Sequence, residues 1–358
     1  MTATPATARF LTTCVAARPA ARLAALLLAM LPLFASPAVA AERVRMPVPW
    51  QPDMTLAYDT ESIHRQKNAE GAGSRRVTDR TEVRVAESGR AGHALVWTTQ
   101  DSRVEAIDGD RGMTDLIAPM LEQLDELEVV IELDRNGLYR RVRNLDAVAV
   151  RVRAAMRPIL EANLEKTLGK GSEKVSKYDR DAALAIAREQ LGAMLEQIIT
   201  LDGIETVSSS QAKTFTAFVG KSMQAGKPYR DAEPIESPLE GTPLPGKREY
   251  TLEIDREDAN LARIRWTHAL DTAGDVAAQW ALVAELTGDT PAGDGAPKDL
   301  SLREEGMLLF RRDTGIIELV ETVNTSRYGR SHDEHERHRM RLRGSARTWA
   351  QEEAARRP

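Results

Sequence analysis

The 358-residue chain is 42% apolar and 29% charged, with a formal net charge of −5. That is a globular composition, and its acidic balance argues against nucleic-acid binding, which wants a net basic surface. The one cysteine, Cys14, excludes an internal disulfide or a thiolate metal cluster.

Arg9, Arg18 and Arg22 precede an apolar run over 23–35, and Ser36, Pro37, Ala38, Val39 and Ala40 follow it. A basic start, an apolar middle and a small-x-small ending predict a secretory signal peptide over 1–40, cleaved after Ala40. The apolar run is shorter than the ~20 residues of a spanning helix. Cys14 lies ahead of that run, whereas a lipid-attachment cysteine would follow it. Cleavage leaves 318 of the 358 residues. It removes three of the 49 basic residues and none of the 54 acids, so the net charge becomes −8. A large exported chain with no thiol fits a bacterial periplasm, and without a second long apolar run it is not expected to span the membrane. Residues 41–358 are expected to form a single α+β domain, with 205 as the place where it would divide into two β-rich halves.

The mature chain opens with strand patterns. Met54, Leu56 and Tyr58 alternate with polar residues, Val83 and Val85 mark a strand over 80–86, and a turn at 88–92 leads into an extended stretch over 94–106. A polar break at 108–112 precedes a helix over 113–124, where Leu116, Met120 and Leu124 lie four apart. Leu127, Val129, Ile131 and Leu133 alternate with Glu128, Val130, Glu132 and Asp134. Asn136-Gly137 turns the chain, and Leu138, Arg140 and Val142 return, which predicts a hairpin. Asn144 reads as the N-cap of a helix whose stripe is Leu145, Val148, Val152, Ala155, Met156, Ile159, Leu160 and Leu164, with a kink or break expected at Pro158. After a polar loop, a second helix is expected from about 179 to 199, with Leu184, Ala187, Leu191, Met194, Leu195 and Ile198 on one face. The short loop makes the two an antiparallel pair. A strand over 214–219, a proline-rich stretch over 228–245, and a hairpin of 249–255 with 261–270 follow. Then come a short helix over 276–286, a Gly/Pro/Asp loop to 297, a hairpin of 307–310 with 316–325, and a last strand in which arginines flank Met340 and Leu342.

Few residues group as chemistry would require. His332, His335 and His338 are interleaved with carboxylates, and zinc or copper accepts such ligands. On a strand, however, alternation puts His332 and His338 on one face and His335 on the other. Ser210 and Lys213 match Ser-x-x-Lys, yet the Ser-Asp-Asn and Lys-Thr-Gly partners of the penicillin-interacting serine enzymes are absent. Gly220-Lys221-Ser222 lacks the first glycine of a phosphate loop, and Pro119 stands where a calcium loop starting at Asp108 needs its glutamate. The basic run of Arg140, Arg141, Arg143, Arg151, Arg153 and Arg157 fits either a wet helix face or contact with an anionic head group. Trp97, Trp266 and Trp280 read as core aromatics.

The hairpins at 127–142 and 307–323 flank a helical segment in a secreted β-rich chain. That order of elements resembles secreted bacterial β-rich proteins of unassigned function. It is also loosely similar to the half-barrel of periplasmic lipoprotein carriers, in which a curved antiparallel sheet wraps around helices. The resemblance implies an α+β fold with a curved antiparallel sheet covered by a helical hairpin. It carries over no functional residue. The expected function is a non-catalytic periplasmic module that binds a lipid or other amphipathic molecule in the sheet's hollow. The alternatives are an interaction protein acting on another envelope protein, and an unidentified hydrolase. Met156, Met194, Arg151 and Arg153 are the candidate ligand contacts, the methionines because they adapt to irregular apolar groups. No cofactor is expected.

Overall fold

The computed structural model describes residues 42–68, 71–109, 111–170, 199–235, 243–271, 300–328 and 332–355. The fold described belongs to the unit Arg43–Pro358. The expected leader, the helix over 179–199 (all but its last residue) and the helix over 276–286 lie outside the described residues.

Most of the structure is one antiparallel sheet, large, open and curved, accompanied by helices in the α+β manner. Its strands are β2 (Thr55–Asn68), β3 (Gly71–Gly89), β4 (Gly92–Asp108), β5 (Glu128–Leu133), β6 (Tyr139–Val142), β8 (Tyr229–Ala232), β9 (Gly246–Ile254), β10 (Leu261–Leu270), β11 (Ser301–Arg311), β12 (Ile317–Tyr328) and β13 (His332–Leu342). Their order is β6-β5-β4-β3-β2-β13-β12-β11-β10-β9-β8. Two meanders are therefore stitched along β2 and β13, from Asp333 opposite Lys67 to Leu342 opposite Tyr58. A separate ribbon pairs β1 (Arg43–Arg45) with β7 (Ser222–Gln224). The helices are α1 (Arg111–Leu124), α2 (Leu145–Lys170), α3 (Leu201–Thr216) and α4 (Trp349–Ala355).

The strands are longer than the local patterns suggested, and β-bulges let them curve. Register shifts fall at Thr78/Arg80 and Val85/Glu87 in the β3–β4 pair and at Leu309/Phe310 in the β11–β12 pair. Each extra residue bends its strand and increases its twist. The expected hairpin at 127–142 forms, but through a wider loop. Asp134 Oδ1 accepts the Asn136 and Leu138 amides, and Gly137 adopts φ +80°. A Cβ on Gly137 would also press Val219 and Val48 at about 3 Å.

Three expectations change. The strand over 214–219 is the end of α3 and the turn after it. Ala212, Phe215 and Phe218 lie three apart and are buried together, and Thr200 caps the helix by accepting the Gly203 amide. Asn144 stands at the start of α2 and its carbonyl accepts the Val148 amide, but its side chain does not cap the helix; it bridges to β5, accepting the Val130 amide and donating to the Glu128 carbonyl. α2 passes through Pro158 unbroken. Ala154 and Pro158 are both exposed, so solvent reaches the carbonyl that the proline leaves without a donor.

The main core lies between α3 and the concave face. Phe215 meets Tyr58 of β2 and Trp97 of β4 edge-on, with ring centroids 5.2 and 5.1 Å apart. Phe218 packs on Tyr250 of β9 and Trp266 of β10, each at 5.4 Å. One helix end thus joins the two meanders. Burying each phenylalanine contributes about 1.5–3 kcal/mol, and each aromatic pair about 0.5–1.5 kcal/mol more. On the convex face, Leu261, Met307, Leu309 and Leu319 form a second cluster against Trp349 of α4. Glu352 grips buried Arg263 at 2.7 and 3.0 Å. Glu353 and Glu321 hold Arg339, whose guanidinium also stacks 4.8 Å over Trp349.

Phe215→Ala should cost about 3–5 kcal/mol of stability, because it opens a cavity shared by both meanders. Urea unfolding followed by circular dichroism checks it. A loss below about 1 kcal/mol would mean that α3 does not hold the halves together.

Candidate functional site

Beyond the aromatic plug, the concave face opens into a hollow of roughly 1100 Å³ between α3 and strands from both meanders. The strand register divides its wall into rungs. The first, next to the plug, runs Asp79, Thr60, Met340, Val320, Leu308, Ile264, Leu252, and is mostly apolar and buried. In the second, Ser62, His338, Thr322, Gly306 and Trp266 lie side by side. The third is polar throughout: Arg75, His64, Glu336, Asn324, Glu304, His268, Arg248, Asp231. Glu334 and Ser326 continue into the fourth beside Leu302. Polarity therefore rises along the strands, away from the plug.

The second rung sets the floor. A Cβ on Gly306 would fall within 1.9 Å of the Trp266 ring. Only glycine lets the indole lie across β11, where Nε1 donates to Glu304 Oε1 at 2.5 Å. Ser62 Oγ and His338 Nδ1 are 2.7 Å apart. His338 Nε2 is shielded and meets no hydrogen-bond partner among the described residues. Burial pushes the His338 ring down to about 4, so it is neutral near pH 7. Burial also raises the Asp79 carboxyl, an effect partly offset by hydrogen bonds from the Thr60 and Thr81 hydroxyls. His64 Nε2 lies 2.6 Å from Glu334 Oε1.

The α3 side differs in charge. Lys213 lies 5.5 Å over the Tyr139 ring, and Lys221 lies over Phe218 and Tyr250 at 5.3 and 5.1 Å. Val207 and Leu138 line the hollow yet stay exposed. Ser210 and Lys213, the Ser-x-x-Lys pair, also line it, but Ser210 Oγ donates to the Val207 carbonyl of its own helix.

Neither family models nor curated proteins match this chain. Among solved structures it is similar to one described as lipid-protein interactions in lipovitellin, at 8% identity and a TM-score of 0.42. That alignment covers 84% of this chain and 26% of the other, so the chain spans about a quarter of that neighbour's length.

The candidate residues named from the sequence are scattered. All three histidines fall on β13, where His338 lines the hollow and His335 lines a separate depression of roughly 430 Å³ with Arg65, Lys67 and Asp333. No group of three or more His, Cys, Asp or Glu among the described residues is placed to hold a metal ion. Met156, Arg151 and Arg153 are not among the residues lining the hollow. Arg151 donates to the Gln123 carbonyl and Arg153 to the Ile199 carbonyl, so both serve helix packing. Met194 lies outside the described residues, as does Trp280. Trp97 belongs to the core, whereas Trp266 is both core and floor. The basic run is locally neutralised, Arg140 and Arg141 by Glu132, and Arg143 by Glu87. Sequence reading missed Ser62, Asp79, Glu304, Thr322, Asn324 and Glu336. The usable signal was hydroxyl, amide and carboxylate residues at every second position of otherwise half-buried strands.

The His338 pKa lies below that of an unfolded histidine, so between about pH 6.5 and 4 the unfolded chain binds the extra proton. Stability should therefore fall as pH drops through this window. His338→Asn should flatten that slope, as read from urea midpoints at successive pH values. An unchanged slope would show that His338 does not titrate abnormally.

Proposed function

We propose that this chain is an exported, non-catalytic envelope protein that holds an amphipathic molecule in the hollow beneath α3. One observation carries the reading. A cavity of roughly 1100 Å³ has an apolar end built from Phe215, Phe218, Trp266, Val320 and Met340 and a polar end built from the third and fourth rungs. That size suits a small-molecule or single-chain lipid ligand. Aromatic and aliphatic side chains would take the ligand's tail, and the polar rungs its head. Val207 and Leu138, apolar and exposed, lie where a tail would pass inward. Export to a periplasm follows from the leader pattern over 1–40, and an extracytoplasmic carrier of this kind would meet lipid directly.

Native mass spectrometry of protein released gently from the host periplasm tests this. The expected result is a co-purifying amphiphile, lost on solvent extraction and regained on adding it back. Asn324→Trp, at an exposed wall position, should fill the cavity and abolish uptake while leaving the thermal midpoint within a few degrees, since surface changes usually cost less than about 0.5 kcal/mol. Wild-type protein that carries no ligand and takes up none would leave the envelope interaction protein as the better account.

A further inference from the structure

The two walls of the hollow differ in charge. Lys213 and Lys221 belong to α3 and the turn after it, where each lies over an aromatic ring. The sheet wall instead carries Asp79, Glu304, Glu334 and Glu336. Arg248 and Arg303 also line the hollow, but Glu233 takes the charge of the first at 2.8 Å and Glu305 that of the second at 2.7 Å. Glu304 is tied through one oxygen to the Trp266 N–H, which leaves its negative charge uncompensated by that bond. Among the described residues Glu336 has no ion-pair partner within hydrogen-bonding reach, and it lies directly between His64 and Asn324. Glu304 faces Asn324 from the other side, so two carboxylates and an amide occupy adjacent strands of one rung. A second, independent feature lies one rung nearer the plug. His338 is neutral, its Nδ1 is engaged by Ser62, and its buried Nε2 has no hydrogen-bond partner among the described residues.

A buried polar atom without a partner calls for an explanation, and a water or ion held beside it is a standard one; a donor group of a guest in the hollow would fill the same place. Carboxylates facing a partly desolvated cavity favour a positive guest, because their attraction is less screened there than in water. An ammonium group supplies both the charge and three N–H donors. A phosphate or carboxylate head would meet like charge on this wall.

We infer that the hollow takes an amphiphile whose polar end is a primary ammonium, seated on the rung of Glu304, Asn324 and Glu336 next to His338. This rests on the amphiphile-binding reading above and narrows it to one head-group chemistry. The acyl or alkyl part would then lie toward Trp266, Met340 and Phe218.

Isothermal titration calorimetry on the full exported protein, stripped of bound molecules, would test it with four twelve-carbon probes below their micelle thresholds. They are dodecylamine, dodecyltrimethylammonium, dodecanol and dodecanoate. Dodecylamine should bind at least about tenfold tighter than dodecanoate, a difference of one favourable charge contact. Dodecyltrimethylammonium, which keeps the charge but has no N–H donor, should fall between. Glu336→Gln should weaken dodecylamine several-fold and leave dodecanol unchanged. Glu105→Gln, an exposed carboxylate of β4 that does not line the hollow, should alter neither. Dodecanoate binding as tightly as dodecylamine would overturn the head-group assignment while leaving the amphiphile reading intact. If none of the four bound, both would fall. Comparing the probes on wild-type protein keeps the test decisive even if a variant folds poorly.

Discussion

Everything in this fold depends on the seating of the α3 C-terminus in the curved sheet. Phe215 is clamped by Tyr58 and Trp97, Phe218 by Tyr250 and Trp266, and each pair belongs to a different meander. The strands alone are joined only through β2 and β13, and a curved sheet of that length has two apolar flanks to cover. The end of α3 and the turn after it, with one phenylalanine each, cover both. The buried Tyr58 hydroxyl then donates to the Ile317 carbonyl of β12, which ties the first meander to the second beneath the plug.

The same seating creates the hollow. The aromatics fill the concave face only as far as the second rung, where Gly306 lets Trp266 lie flat and end the apolar layer. Past that point the inward side chains are mostly polar, and they pair along the wall, as Arg248 does with Glu233 and His64 with Glu334, instead of extending the apolar layer. Extended strands, bent by bulges, keep the wall concave over this distance. Core and cavity are thus two ends of one surface, separated by a change in side-chain type along β2, β11, β12 and β13.

The convex face is managed differently. β13 presents Arg337, Arg339 and Arg341 outward, and these meet Glu61, Glu321, Glu353 and Asp59. α4 completes this arrangement by bringing Glu352 and Glu353 back onto the sheet. At the free edge of β6, the Glu205 carboxylate of α3 accepts both the Val142 amide and the Tyr139 hydroxyl, which caps an edge that would otherwise invite further strands.

Local pattern in the chain carries the α+β class and the position of most strands and hairpins. Alternation over 127–133 marks a strand because period two is a local property of a chain with one buried face. An apolar stripe at helical spacing marks α2 in the same local way, and alternation along β13 puts His335 and His338 on opposite faces. Tertiary structure decided the rest. Residues 214–219 are expected as a strand, yet the aromatic socket formed by Tyr58, Trp97, Tyr250 and Trp266 makes them a helix end and the turn after it. Asn144 was diverted from capping to bridging by the nearness of β5. The hollow was invisible for a related reason: its wall is assembled across six or more strands, and only their mutual register brings Ser62, His338, Thr322, Glu304 and Glu336 onto adjacent rungs. Local pattern tells each residue which way to face, whereas pairing over long separations decides what it faces.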